Sequence, residues 1–286
     1  MDKEEIRKAV RERYGNIAKQ GNSCCGPAES CCGSTDSAQS ISRSIGYSEE
    51  ELQTVPQGAN MGLGCGNPTA LASLKEGEIV LDLGSGAGFD CFLAARQVGS
   101  AGKVIGVDMT AEMLERAREN ARKGDFGNVE FRLGEIENLP VGDDHVDIII
   151  SNCVINLSPN KKRVFQEAFR VLRAGGRLMV SDIVLLKDLP KEIRNSVAAY
   201  VACVAGATTK NDYLEAIRAA GFEDIKVLGE VAYSPDLLAN DPVALEVAEN
   251  LKLSREKARD LASSVISIKV SAMKPAAGSK DRCSMK

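Results

Sequence analysis

Residues 79–90, Ile-Val-Leu-Asp-Leu-Gly-Ser-Gly-Ala-Gly-Phe-Asp, constrain the fold more than any other stretch of this chain. Ile79, Val80, Leu81 and Leu83 form an apolar run of strand length, which enters a turn made of Gly84, Ser85, Gly86, Ala87 and Gly88. Such a composition lets the backbone come close to a ligand. Helical pattern resumes at Phe89. A second apolar run over 103–107 ends in Asp108, which a neighbouring strand tip would aim at ribose hydroxyls. A dinucleotide-binding turn calls for G-x-G-x-x-G, whereas here the glycines stand at 84, 86 and 88 behind an acid, Asp82. The spacing therefore points to a different nucleoside cofactor.

The rest of the core supports an α/β architecture. Strands are expected over 79–83, 103–107, 128–133, 146–151 and 176–183, with helices over 89–98, 111–123 and 160–172 between them. Thr110 should cap the second of these helices, Ser158 with Pro159 should open the third, and Gly175-Gly176 should close it. Strict alternation predicts a mainly parallel, doubly wound sheet that binds ligands at the strands' carboxyl ends. The D-x-G-x-G-x-G turn within this pattern resembles class I methyltransferases that use S-adenosylmethionine. That resemblance implies a Rossmann-like fold in which Gly84, Ser85, Gly86 and Gly88 face the methionyl part and Asp82 lies near its ammonium group. Asp108 would take the ribose, Met109 one face of the adenine, and Glu135 or the amide of Ile136 the adenine edge. Asn152, past the fourth strand, would sit beneath the sulfonium.

Length and composition narrow the context. The chain has 286 residues, enough for one large domain with appendages and a proper core. A net charge of −4 argues against a nucleic-acid partner. The N-terminus reads as a charged amphipathic helix over 2–19, with Ile6, Val10, Tyr14 and Ile17 on one face. That pattern is neither a signal peptide nor a membrane span, which makes the cytoplasm the expected location. The nine cysteines follow no secreted disulfide framework, so they are read as thiols.

Their positions carry the functional reading. Cys153 follows Ser151-Asn152 at the tip of the fourth strand, where a substrate would lie. Cys65 stands in the glycine-flanked turn Leu63-Gly64-Cys65-Gly66-Asn67-Pro68 ahead of the core. Cys203 ends a helix expected to begin at Pro190 and to cover the site. Soft thiolates favour soft centres. Trivalent arsenic takes three thiolates in a pyramid and keeps a lone pair on the open side, which can attack a methyl group without a general base. Cys24, Cys25, Cys31 and Cys32 form two vicinal pairs in a small-residue loop and are accessory candidates. Cys91 reads as a buried hydrophobe, Cys283 as incidental, and His145 as solvated in a turn.

Four motifs in order make a more specific resemblance. Leu-Gly-Cys-Gly-Asn-Pro at 63–68, Asp-Leu-Gly-Ser-Gly-Ala-Gly-Phe-Asp-Cys at 82–91, Ser-Asn-Cys-Val-Ile-Asn-Leu at 151–157 and Cys-Val-Ala-Gly-Ala at 203–207 are similar to arsenite methyltransferases, over roughly residues 45 to 273. The resemblance implies that Cys65, Cys153 and Cys203 bind arsenic(III) and take part in catalysis, with one further N-terminal cysteine. It implies successive methylation of arsenite and methylarsenite in arsenic detoxification. A thiol reductant, thioredoxin or glutathione, would restore the oxidised cysteines. No structural metal is expected. Two alternatives remain open at this point: a C-methylase of small molecules such as a quinone ring, and a non-catalytic metalloid-binding protein.

The chain divides, on this reading, into an N-terminal helix, cysteine loop and site cover (1–70), a cofactor-binding core (71–184), a C-terminal region that completes the sheet and roofs the site (185–274), and a disordered tail (275–286). Within the third part, Thr209 should cap a helix over 211–220, with strands near 224–228 and over 265–273 and helical segments between 235 and 262.

Overall fold

The structure is a computed structural model that describes residues 2–20, 34–68, 73–232 and 263–276, together with Glu249, Ser254 and Asp260. The four N-terminal cysteines, Cys283, the helix expected over 69–74 (apart from its last two residues) and most of the expected helical stretch 235–262 lie outside the described residues.

Seven strands form one sheet: β1 (Ile79–Leu83), β2 (Lys103–Asp108), β3 (Val129–Leu133), β4 (Val146–Asn152), β5 (Leu172–Leu185), β6 (Glu223–Ala232) and β7 (Val265–Met273), in the spatial order β3-β2-β1-β4-β5-β7-β6. β3, β2, β1, β4 and β5 run parallel, and β7 is antiparallel to both β5 and β6. The order reverses direction at β1 and β4, so a crevice opens above their carboxyl ends. Val80, Leu81 and Leu83 of β1 and Ile148, Ile149 and Ile150 of β4 are fully buried. Helices cover both faces of these strands, and their sequences are mostly apolar for that reason.

The helices in chain order are α1 (Lys3–Gln20), α2 (Ser34–Ser44), α3 (Glu49–Thr54), α4 (Phe89–Val98), α5 (Ala111–Lys123), α6 (Lys161–Val171), α7 (Lys191–Arg194), α8 (Val197–Val201) and α9 (Lys210–Ala219). α4 and α5 match the expected bounds, and Met113, Leu114 and Ala117 of α5 are buried on one face. α1 buries Val10, Ile17 and Ala18 and lies over α5 and α8. Two bonds fix it there: Arg116 Nη1 donates to the Ala18 carbonyl at 2.7 Å, and Tyr14 Oη donates to the Val201 carbonyl at 3.4 Å.

Several local expectations are corrected. The Thr110 side chain makes no capping bond to α5; its backbone N–H donates to Asp108 Oδ1 at 2.8 Å instead. Asn160, not Ser158, caps α6 by accepting from the Arg163 amide, while Ser158 Oγ accepts from the Asn160 amide one step earlier. Gly175-Gly176 do not end α6, because the chain passes straight from Val171 into β5. The glycines take up a bulge where the β4 pairing jumps from Val146–Leu172 to Ile148–Arg177. The single helix expected from Pro190 to Gly206 is two short ones. The chain breaks at Asn195, and Ser196 starts α8 by accepting from the Ala199 amide; a serine offering its own backbone bond favours such a restart over continuation. Cys203 thus lies beyond the helix, in a turn. Thr209 does cap α9, accepting from the Asp212 amide. β6 is longer than expected, and two register shifts let it stay paired as an exposed edge strand.

Candidate active site

Gly84 and Gly86 shape the mouth of the crevice. Both have positive φ, 71° and 51°, which residues with a side chain adopt at a cost. A Cβ on Gly84 would overlap the Val154 side chain, whereas one on Gly86 would point into open space. Gly84 therefore lets the turn pack against the loop after β4, and Gly86 lets its amide turn towards β2. Asp108 Oδ2 accepts from that Gly86 amide at 3.0 Å. With Oδ1 held by Thr110, the carboxylate is fixed at the strand tip and keeps further lone pairs for a ligand.

The cleft above these residues has about 1110 Å³ of empty space, including its open mouth. Of the residues expected from sequence to contact the cofactor, Asp82, Gly84, Ser85, Gly86, Asp108, Met109, Ile136 and Asn152 line it. Gly88 and Glu135 do not. Gly88 begins α4, with Phe92 and Phe131 where its Cβ would be. Glu135 pairs with Arg7 Nε at 3.2 Å and with Arg11 at 3.6 Å on α1. The neighbouring Glu137 does line the cleft and pairs with Arg7 at 3.4 Å. Helix α1 thus forms a wall of the cleft, a role its amphipathic pattern did not reveal.

At the inner end of the cleft two buried carboxylates gather. Burial holds Asp82 well above the usual carboxylate range and raises Asp90 to about 6. Asp90 Oδ1 accepts from Tyr47 Oη at 2.7 Å, and Cys91 Sγ donates to Asp82 Oδ2 at 3.2 Å. Burying two acids side by side is costly, and a positively charged group entering the cleft would offset that cost. The Ser85 hydroxyl, also on the cleft wall, is buried without a hydrogen-bond partner among the described residues. Tyr47 and Asp90 were not anticipated. An acid in the first turn of so apolar a helix as α4 was the available signal.

Asn152 joins this end to the cysteines. Its Nδ2 donates to Gly66 O at 2.7 Å, Tyr47 Oη at 2.9 Å and Asp90 Oδ2 at 3.2 Å, and its Oδ1 accepts from the Cys65 amide at 3.0 Å. The turn bearing Cys65 is thereby tied to the end of β4. Cys65, Cys153 and Cys203 are all buried and pack in one cluster. Cys65 Sγ, Cys153 Sγ and a carboxylate oxygen of Asp182 lie within 4.8 Å of one another. Cys203 Sγ donates to the Cys153 carbonyl at 3.1 Å. Cys153 and Cys203 both have left-handed backbones, with φ of 59° and 65°, conformations uncommon for residues with a Cβ and concentrated at functional sites. Cys203, then Cys65, then burial push the Cys153 thiol well above its ordinary range, and burial raises Cys65. Both shifts favour the neutral thiol at Cys65 and Cys153. Cys153 also lines the cleft, so the cluster opens onto it at that residue.

Beneath the thiols lies a polar group that was not expected either. Asp182, fully buried, accepts from Ile183 N at 2.8 Å, Asn156 Nδ2 at 2.9 Å and Tyr213 Oη at 3.0 Å. Burial raises it to about 6, while Lys161 nearby favours its charged form. Lys161, itself lowered to about 8 by burial, donates to the Ser158 and Asn156 carbonyls at 3.3 and 3.5 Å. A lone acid inside the apolar run of β5 was the signal in the sequence. Cys91 is buried, and His145 is half-buried in its turn.

Residues 74–221 match the family model of a methyltransferase domain. An arsenite methyltransferase of Halobacterium salinarum is 50% identical over 232 residues, 79% of this chain and 59% of that protein. The human arsenite methyltransferase is 36% identical over 218 residues, 71% of this chain and 54% of that one. A solved structure, the arsenic(III) S-adenosylmethionine methyltransferase of Chlamydomonas reinhardtii, aligns with a TM-score of 0.60 at 32% identity, covering 83% of this chain and 74% of that one. The chain belongs to the arsenite methyltransferase family. It spans little more than half the length of the two relatives matched by sequence. Among the described residues no helix is long and apolar enough to cross a membrane.

Proposed function

We propose that this protein transfers methyl groups from S-adenosylmethionine to trivalent arsenic, with arsenite and then methylarsenite as substrates, in arsenic detoxification. One observation carries the reading: Cys65, Cys153 and Cys203, from three distant segments, converge at the end of a glycine-turn cleft, and Cys153 belongs to both.

The cleft fits the methyl donor by its chemistry. Asp82 and Asp90 offer negative charge to its cationic methionyl end, Asp108 offers acceptors to the ribose hydroxyls, and Met109 and Ile136 supply apolar surface for adenine. When bound, the donor supplies an electrophilic methyl group on a sulfonium.

The thiols do the rest. Arsenite enters as neutral As(OH)₃. Each neutral thiol exchanges for one hydroxyl, its proton leaving with that hydroxyl as water, so three As–S bonds form and three waters depart without net charge change. The raised Cys65 and Cys153 thiols suit such an exchange. The lone pair left on arsenic then attacks the methyl carbon, helped chiefly by positioning. Methylation oxidises arsenic to the pentavalent state, and return to the trivalent state takes two electrons. Two cage thiolates supply them: their As–S bonds break as the two sulfurs join in a disulfide, a further thiol binds the methylarsenic cation and loses its proton to solvent, and external thiols of thioredoxin or glutathione reopen the disulfide. One of Cys24, Cys25, Cys31 and Cys32 is the accessory thiol in this cycle. Such chemistry belongs in the reducing cytoplasm.

The deciding experiment is an assay of the purified chain with S-adenosylmethionine, arsenite and a thiol reductant, separating arsenic species by mass. Methylated arsenic is expected. Binding of both ligands without product would instead indicate a metalloid-sequestering protein. Failure to bind arsenite at all would leave a methyltransferase of another small molecule, a quinone ring among the candidates.

A further inference from the structure

Asp182 has no task in the exchange and transfer steps just described, yet it is a fully buried acid whose carboxylate oxygen lies within 4.8 Å of both Cys65 Sγ and Cys153 Sγ. Its hydrogen bonds come from Ile183 N, Asn156 Nδ2 and Tyr213 Oη. All three donors are neutral, and the nearby Lys161 favours the charged form of the acid while giving its own hydrogen bonds to carbonyls, so the carboxylate is held by donors that do not cancel its charge. Burying an acid so deeply is costly unless its charge is used.

The reaction supplies a use. A trivalent arsenic held by three thiolates is neutral. As its lone pair forms the arsenic–carbon bond, the carbon–sulfur bond of the donor breaks with both electrons going to that sulfur. The positive charge therefore moves from the donor's sulfur to arsenic. Nothing is oxidised by an outside agent and no proton moves. Fixed negative charge is most effective in catalysis where positive charge develops in the transition state, within a site that excludes water. Asp82 and Asp90 stand at the cofactor end, where the positive charge starts. Asp182 stands at the thiol cage, where it arrives.

We propose that Asp182 is the electrostatic counter-charge of the transfer step, a carboxylate fixed against the arsenic cage to stabilise the positive charge that arsenic acquires. This rests on the arsenic-methylating reading above. The role differs from ligation: three thiols suffice for trivalent arsenic, and the carboxylate is asked only for its charge.

The test compares wild type with Asp182→Asn, which keeps the shape and the acceptor for Ile183 and removes the charge. Arsenite and S-adenosylhomocysteine binding are read by calorimetry, and the first methylation by single turnover. Both affinities are expected within about threefold of wild type, while the single-turnover rate falls by about ten- to one-hundredfold, somewhat less than loss of a directly contacting oxyanion donor. A rate within about threefold of wild type overturns the proposal, as does a loss of arsenite affinity that matches the loss of rate. Tyr213→Phe decides the matter if Asp182→Asn does not fold: it removes one hydrogen bond and leaves the charge. A counter-charge predicts less than about threefold change there, and a tenfold fall would assign Asp182 to scaffolding. Absence of methylated arsenic from the wild type would overturn the proposed function itself, which separates the two failures.

Discussion

The glycine-turn end of the cleft, assigned above to the cofactor, is made largely of backbone from neighbouring stretches of chain, and its key bond, Gly86 to Asp108, joins residues 22 apart. The thiol end is made of side chains brought from far away: Cys203 meets Cys153 across 50 residues, and Cys65 meets Asn152 across 87. The first end depends on local conformation, on glycines that accept positive φ and an acid at a strand tip. The second depends on three separate elements arriving at the same point, two of them with strained left-handed cysteines. Asn152 is the joint, since it bonds to Asp90 on one side and to the Cys65 turn on the other. A site of this kind should fail in two separable ways, at the cofactor or at the cage.

Cys153→Ser is the sharpest way to separate them. Removing a cage sulfur is expected to lower methyl transfer by about two orders of magnitude or more, beyond the usual cost of losing a supporting group around a metal. Cofactor binding measured by calorimetry should stay near wild type, and wild-type turnover would break the division into two ends. Next in size is the pH effect that Asp90 contributes beside the glycine turn. Asp90 is raised to about 6 from 3.8, so between those values the folded chain binds more protons than the unfolded one. Its contribution to stability therefore falls as pH rises through about 4 to 6, by up to about 3 kcal/mol. Denaturant titrations of the ligand-free chain should show Asp90→Asn gaining on wild type across that window, and parallel curves would mean the acid is not held at a cost.

Asp108→Ala is expected to weaken cofactor binding about thirtyfold, the worth of one hydrogen bond to a charged group, with arsenite affinity retained. Equal loss at both ligands would show the ends to be coupled through the sheet rather than separate. Smallest is Arg7→Ala. Arg7 is mostly buried between Glu135 and Glu137, and its loss should loosen α1 over the cleft and weaken the cofactor only about threefold to fivefold, as befits a partly exposed ion pair. An unchanged value would make α1 a passive wall.

How much of this was legible depended on distance along the chain. Strands and helices of the core were readable because β1 and β4 are mostly apolar and α4 and α5 carry a helical period with clean ends. Ends that depend on pairing were not. Gly175-Gly176 look like a helix stop, but the bulge that uses them exists only once β5 lies beside β4. The helix expected up to Cys203 broke at Asn195 because Ser196 starts a new one, and the break places Cys203 in the turn where its thiol reaches the Cys153 carbonyl.

The sequence by itself determined the doubly wound sheet and the glycine turn, and it singled out the three cysteines that pack together, since each rests on local patterning or on a short motif. Tertiary structure alone decided what stands around those cysteines. Tyr47 with Asp90, Asn152 over the Cys65 turn, Arg7 over Glu137 and Asp182 beneath the cage are all contacts between segments that nothing local relates. The reason is physical: a backbone turn is specified by the few residues that form it, whereas the charge and hydrogen bonding felt by a buried side chain are set by whichever elements the folded core happens to press against it.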